Sequence, residues 1–277
     1  MVDRGSIRSA RARAAGEPMP AYTAPDEWPA AAEPGQAGMR QPVRYSLRPL
    51  TLPRLTLAPE LSVNVAHAAL TIFGSSSDVN AVGINIGASF GITDDLEFQA
   101  TFAPFVVAPS EAAGYGDPIF GLTYRFIKGD VELGARLQAQ ILTHLGPGVT
   151  VSPSIPLLVR IGQHVRLDTG VQFAVATAHG GVAAGMAVPL VLNGSVTDNF
   201  HLGLSTGVGI LNFEIPGEST YVPVGFQMGF AVPSSKGPVL DILPSFQWPY
   251  LFTPGADGKV NPSLFTVGVQ FRGYIYL

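Results

Sequence analysis

From Asn199 to Ile210 the chain alternates Phe200, Leu202, Leu204, Thr206, Val208 and Ile210 with His201, Gly203, Ser205, Gly207 and Gly209. Successive side chains of a strand point to opposite faces, so this stretch predicts a strand with one greasy and one polar face. Val131, Leu133, Ala135, Leu137, Ala139 and Ile141 repeat the pattern against Glu132, Gly134, Arg136, Gln138 and Gln140. Twelve such segments follow one another, at 55–66, 80–90, 95–106, 117–127, 131–142, 149–161, 164–176, 181–193, 199–211, 220–232, 238–248 and 264–276. Tight connections at 91–94, 127–130, 162–163, 195–198 and 233–237 alternate with generally longer ones near 67–79, 107–116, 143–148, 177–180, 212–219 and 249–263. The motifs TDDLEFQA, KGDVELGA, GQHVRLDTG and TDNFHLGLSTG recur every 35 or so residues, one hairpin apart. The prediction is an all-β fold, a transmembrane antiparallel β-barrel of 12 strands over residues 51–277 with membrane lipid around it.

Composition separates lipid from water as the solvent of the greasy face. A soluble alternating sheet keeps a charged outer face, and ordinary soluble domains carry roughly 25% charged residues. Here 13% are charged, three residues are lysine, and mean hydropathy is +0.29. Gly, Ser, Asn and Gln hold most of the polar parity, as a confined watery lumen would require. No apolar run approaches the length of a spanning helix, and closed barrels are the other way to satisfy every backbone group in lipid. Short turns belong on the periplasmic side of such barrels and long loops outside, which predicts the bacterial outer membrane. The net charge of −4 carries no basic block over the predicted barrel, arguing against nucleic acid as a partner.

Residues 1–50 differ in character. Arg4, Arg8, Arg11 and Arg13 precede a Pro- and Ala-rich stretch through Pro34. Nothing there has the periodicity of a core, so the segment reads as a disordered tail. It carries the charge of an export signal without the apolar region that should follow, while Ala12, Arg13 and Ala14 are like a signal-peptidase site.

RPLTLPRLTLAPELS at 48–62, GITDDLEFQATFAP at 91–104 and GDPIFGLTYRF at 116–126 resemble a broad group of outer-membrane channel proteins, including the family named for the meta pathway of phenol degradation. The resemblance covers about the first half of the barrel and implies outer-membrane transport, with no catalytic residues to carry over. The last strand, LFTVGVQFRGYIYL, resembles the signal by which the barrel-assembly machinery recognises its clients, although it ends in Leu277 where Phe or Trp is usual.

Neither a catalytic motif nor a metal-ligand spacing stands out, no cofactor is expected, and cysteine is absent. Counting parity inward gives a charged collar of Glu97, Arg125, Glu132, Arg160, Arg166, Asp168, Asp241 and Arg272, with Glu60, Arg136, Gln138, Gln140 and His201 elsewhere on the lumen face. A four-residue turn at 127–130 would set Arg125 opposite Glu132, and Arg160 would face Arg166 with Asp168 diagonal to them. The collar suits either a salt-bridged network filling a narrow barrel or a selectivity filter. Phe90, Phe98, Phe126, Phe200 and Phe230 sit on the apolar parity beside the tight turns, where a periplasmic aromatic girdle belongs. The function expected is a passive channel or uptake protein for small solutes. The alternatives are a phospholipase-like outer-membrane hydrolase and a non-conducting structural or adhesin barrel.

Overall fold

The computed structural model describes residues 40–72, 75–108, 116–142, 148–178, 181–253, 259–260 and 262–277; residues 1–39 of the predicted tail lie outside this set. The strands are β1 Thr56–Ile72, β2 Ser75–Thr93, β3 Leu96–Ala108, β4 Ile119–Ile127, β5 Val131–Leu142, β6 Gly148–Ile161, β7 Val165–Ala178, β8 Gly181–Ser195, β9 Phe200–Ile210, β10 Thr220–Ser234, β11 Gly237–Thr253, the two-residue β12 Lys259–Val260, β13 Leu264–Gly273 and the two-residue β14 Ile275–Tyr276. From β1 to β11 each strand pairs antiparallel with the next, and β13 pairs with both β11 and β1. β12 and β14 only extend the edges of β11 and β1. The result is the closed antiparallel barrel of 12 staves, β1–β11 and β13. Closure leaves no stave with an unpaired edge, as lipid demands.

Register carries the sequence parity into three dimensions. Leu204 on β9 lies between Leu192 and Phe226 on its two neighbours. With Leu122 and Leu137 these residues are 45 to 54% exposed on the outer surface. So large an exposed apolar surface is a lipid-facing one. The other parity turns inward, where Glu132, Asn193, His201 and Asp241 are all buried. Twelve strands about 4.8 Å apart and tilted by about 40° give a wall radius of about 12 Å, too wide for wall side chains alone to fill.

The tight connections occupy 94–95, 128–130, 162–164, 196–199 and 235–236, all at one end. At the other end the ladder runs further than the alternation. The connection expected at 67–79 is mostly strand, with pairing from Ala68↔Val79 to Ile72↔Ser75. β7 and β8 are separated by residues 179–180 alone, and β11 continues to Thr253. Beyond the apolar band no face has to be greasy, so the alternation fades while backbone pairing continues. Within 211–219, Pro216–Ser219 forms one helical turn, anchored by Ser219 Oγ on the Asn212 carbonyl at 2.7 Å.

The domain boundary needs correction. Residues 40–50, assigned above to the tail, are ordered against the barrel, with Ser46 and Arg48 buried. They carry little apolar periodicity because polar contacts hold them, as set out below. The barrel unit therefore starts by residue 40 rather than at residue 51.

Leu204→Arg should cost roughly 2 to 4 kcal/mol, as a cation at the bilayer midplane does, and Ser205→Arg, on the lumen parity, markedly less. Urea unfolding of the variants refolded into lipid vesicles measures both, and equal losses would contradict the assignment of faces.

Candidate pore constriction

Between residues 40 and 54 the chain makes a circuit of the tight-turn end of the lumen. The Gln41 carbonyl packs against Gly237 at the β10–β11 turn, where φ is +114°. Arg44 pairs with Asp198 of the β8–β9 turn. Ser46 donates to the Gln163 carbonyl of the β6–β7 turn at 2.6 Å and takes up Ser195 Oγ at 3.0 Å. The Leu50 N–H donates to Glu132 Oε2 at 2.7 Å, beside the β4–β5 turn. Thr51 Oγ1 donates to the Asp94 carbonyl at 2.8 Å, the Leu52 N–H to Glu97 Oε2 at 2.8 Å and the Arg54 N–H to Asp94 Oδ1 at 2.9 Å, all at the β2–β3 turn. Five turns are thus visited in reverse chain order before Leu55, at φ +57°, turns the backbone up into β1. Tyr45–Leu47 form a 3-10 turn, and with twelve extended residues the segment reaches about 46 Å, enough for one lap of roughly 44 Å at a radius of about 7 Å.

Arg48 crosses this ring. Its carbonyl accepts from Arg160 at 2.9 Å and Arg166 at 2.8 Å, on the β6–β7 wall. Its guanidinium reaches the far wall, pairing with Asp241 of β11 and donating to Tyr274 Oη at 3.0 Å. It also donates to the Pro42 and Val43 carbonyls, both at 3.0 Å, tying the start of the ring to its middle. Tyr45 lies beside it, stacked on His201 with ring centroids 4.1 Å apart. The Arg48 guanidinium, the Tyr45 ring and the peptide groups of residues 40–54 are thus held at the tight-turn end of the lumen.

The predicted collar is what holds this ring. Glu132 is fully buried between Arg125 at 3.2 Å and Arg160 at 2.7 Å. Arg166 takes Asp168 at 2.7 Å while standing opposite Arg160, as the parity required. Arg272 sits in register between Glu60 and Asp241 and pairs with Glu60 at 2.7 Å. One expected register is wrong. The hairpin closes with Ile127 opposite Leu133, and this wider turn with a bulge between Arg125 and Ile127 puts Arg125 opposite Gly134, two positions from Glu132, to which its side chain reaches back diagonally. That slip frees Arg125 to bind Asp95 at 2.9 Å as well, and Lys128 meets the same carboxylate at 2.6 Å. Partial burial favours the protonated Asp95, yet the hydrogen bonds from Lys128 and Arg125 outweigh it and hold the carboxyl below its ordinary range.

The remaining predicted lumen residues lie further along the lumen face or beside the ring. Arg136 donates from Nε to Thr123 Oγ1 at 2.9 Å, Gln140 to Asp117 at 3.3 Å, Gln270 to Glu60 at 2.8 Å, and Gln138 packs over Gly121. Adding Arg48, Arg136, Glu60 and Asp117 to the balanced collar gives six inward arginines against six inward acids. Above the ring is a cavity of about 440 Å³. On the outer surface Phe98, Phe126 and Phe230 are exposed near the tight turns. Phe200 stacks on Phe230 at 4.7 Å, and Phe90 stands opposite Phe98. Sequence reasoning missed Ser46, Arg48, Thr51 and Tyr274. The readable sign of them was local: two acids, Glu60 and Asp241, flank the single Arg272, leaving one carboxylate without a cation from the wall.

Neither a protein-family model nor a curated protein matches the chain. Solved structures do share its architecture. The COG4313 outer membrane channel from Pseudomonas putida F1 aligns with 81% of this chain and 97% of its own at 10% identity and a TM-score of 0.56. The NanC porin aligns with 78% of this chain and 100% of its own at 7% identity and a TM-score of 0.55. At these identities the likeness is one of fold.

Two measurements test the constriction. Asp241→Asn should cost about 3 to 5 kcal/mol, because removing one partner strands a buried charge. Brief trypsin digestion of the refolded variant should then cut after Arg44, in the loosened ring segment, a site that stays protected in the parent. For Asp95 the depressed carboxyl adds stability at pH values above its unfolded value of 3.8, and this is lost as pH falls through the lower folded value. The stability difference between the parent and Asp95→Asn should accordingly be flat from pH 5 to 7 and shrink below pH 3.8, followed by urea unfolding at each pH.

Proposed function

We propose that the protein is a passive outer-membrane channel for small solutes, with its tight turns in the periplasm and its aperture set there by residues 40–54. The observation that supports this reading is a cavity of about 440 Å³ inside the barrel, lined by lumen-parity side chains such as Glu97, Arg136 and Gln172 together with residues of the ring. The exposed aromatics near the tight turns suit the interfacial girdle of that leaflet. The two solved barrels of the same architecture are named as a channel and a porin, in keeping with this reading. The sequence resemblance to the phenol meta-pathway family points to the same transport class without adding a solute.

The hydrolase alternative draws no support from the outward histidine. His67 spends Nδ1 on Asn80 Oδ1 at 2.9 Å and lies against the Phe265 ring. The non-conducting barrel has one observation in its favour, the Arg48 bar across the mouth. A direct comparison separates it from the channel. In planar bilayers the refolded chain should give small, steady conductance steps, and a chain lacking residues 1–52 steps several-fold larger. Absence of current from the shortened chain would mean a filled lumen and would refute the channel.

A further inference from the structure

Of the six inward arginines, five spend their guanidinium groups on carboxylates: Arg48 on Asp241, Arg125 and Arg160 on Glu132, Arg166 on Asp168 and Arg272 on Glu60. Arg136 differs. Its described hydrogen bond is from Nε to the Thr123 hydroxyl, no carboxylate among the described residues forms an ion pair with it, and it lines the cavity above the ring. Glu97 lies in the same cross-strand row, with Thr123 between the two, and its Oε2 is committed to the Leu52 N–H. Arg136 is therefore the inward arginine without an ion pair among the described residues, and the carboxylate that feels its charge across Thr123 is Glu97.

The wall beside it is built differently. Pro156, diagonal to Arg136 across β5 and β6, is paired with Gly170, and Pro189 is paired with Gly207. Both glycines have positive φ, +145° and +154°, and a Cβ on either would strike the facing backbone. The lumen wall there carries proline rings and bare backbone, and Leu50 of the ring and Val191 extend the apolar lining of the same cavity. A two-donor cation beside a shallow apolar recess, in a site of a volume usual for small ligands, matches one kind of solute.

We propose that Arg136 is the solute-contact residue of this lumen and that the solute class is small organic carboxylates. The carboxylate would accept both terminal nitrogens of Arg136 while the hydrocarbon body lies along Leu50, Pro156 and Pro189. The transport aspect rests on the channel reading above, whereas binding does not.

Isothermal titration of the refolded protein in detergent uses sodium hexanoate, hexanamide and inorganic phosphate as probes. Hexanoate should bind, with hexanamide and Arg136→Gln each weakening binding about tenfold or more, since a charge-assisted pair is lost. Arg136→Lys should restore part of the affinity, and circular dichroism and the heat-dependent gel shift should be those of the parent in both variants. Phosphate binding as tightly as hexanoate, or hexanoate affinity unmoved in Arg136→Gln, would overturn the proposal. Bilayer currents distinguish the two readings. Hexanoate binding without current in either the full or the shortened chain would keep the site and remove the channel. Current without hexanoate binding would keep the channel and remove the site.

Discussion

A chain that crosses lipid as strands has no water to satisfy its peptide groups, so its sheet must close, and the rest of this molecule follows from that closure. β13 meets β1 on one side and β11 on the other, leaving twelve staves and a wall about 12 Å in radius. That width poses a second problem of the same kind inside. A segment lying across the lumen also brings peptide groups away from bulk water, and these too need partners. The collar supplies them. Glu132 and Glu97 accept the Leu50 and Leu52 N–H groups, while Arg160 and Arg166 donate to the Arg48 carbonyl. Charges that read as a filter or a packing network are, first of all, the hydrogen-bond surface on which a strand without a sheet is laid.

This explains what was legible in the sequence and what was not. The staves were readable because lipid outside and water inside force a residue-type alternation, as in Phe200 to Ile210, and their number and order follow. The inward placing of Glu132, Arg160, Arg166 and Asp241 is a consequence of the same parity. Strand ends beyond the membrane were not readable, since Ser75 to Asp78 pair through backbone that any residue type provides. The register at Arg125 was equally hidden, because turn width and a one-residue bulge leave composition unchanged, and together they set Arg125 two positions from its expected partner. Residues 40–54 were the largest omission. Their contacts run through N–H and carbonyl groups and a few short or charged side chains, so the hydrophobic pattern had nothing to report.

The balance of forces on the ring differs from that on the wall. In the ring, Leu52 is the buried apolar residue, packed with Ala58, Tyr274 and Tyr276. The remainder is polar and geometrically demanding. Pairs such as Arg48 with Asp241 depend on both partners being present and offer little net gain over apolar packing, although losing one member is costly. Screening by salt does little to such buried pairs. The seating of the ring is consequently specific without being deeply hydrophobic, a suitable combination for a segment that sets an aperture.

The reverse order in which the ring visits the turns has a consequence for how the molecule is made. Its first contacts, at Gly237 and Asp241, belong to the hairpin farthest along the chain, and Arg48 and Asp241 are 193 residues apart. Contacts of such span are slow to form because their loop-closure entropy comes due before any other contact rewards it. None of the five anchor points exists as a set until every hairpin is in place. The ring is thus assembled last although its residues are synthesised before any stave, and until it seats, a nascent barrel would have an open mouth.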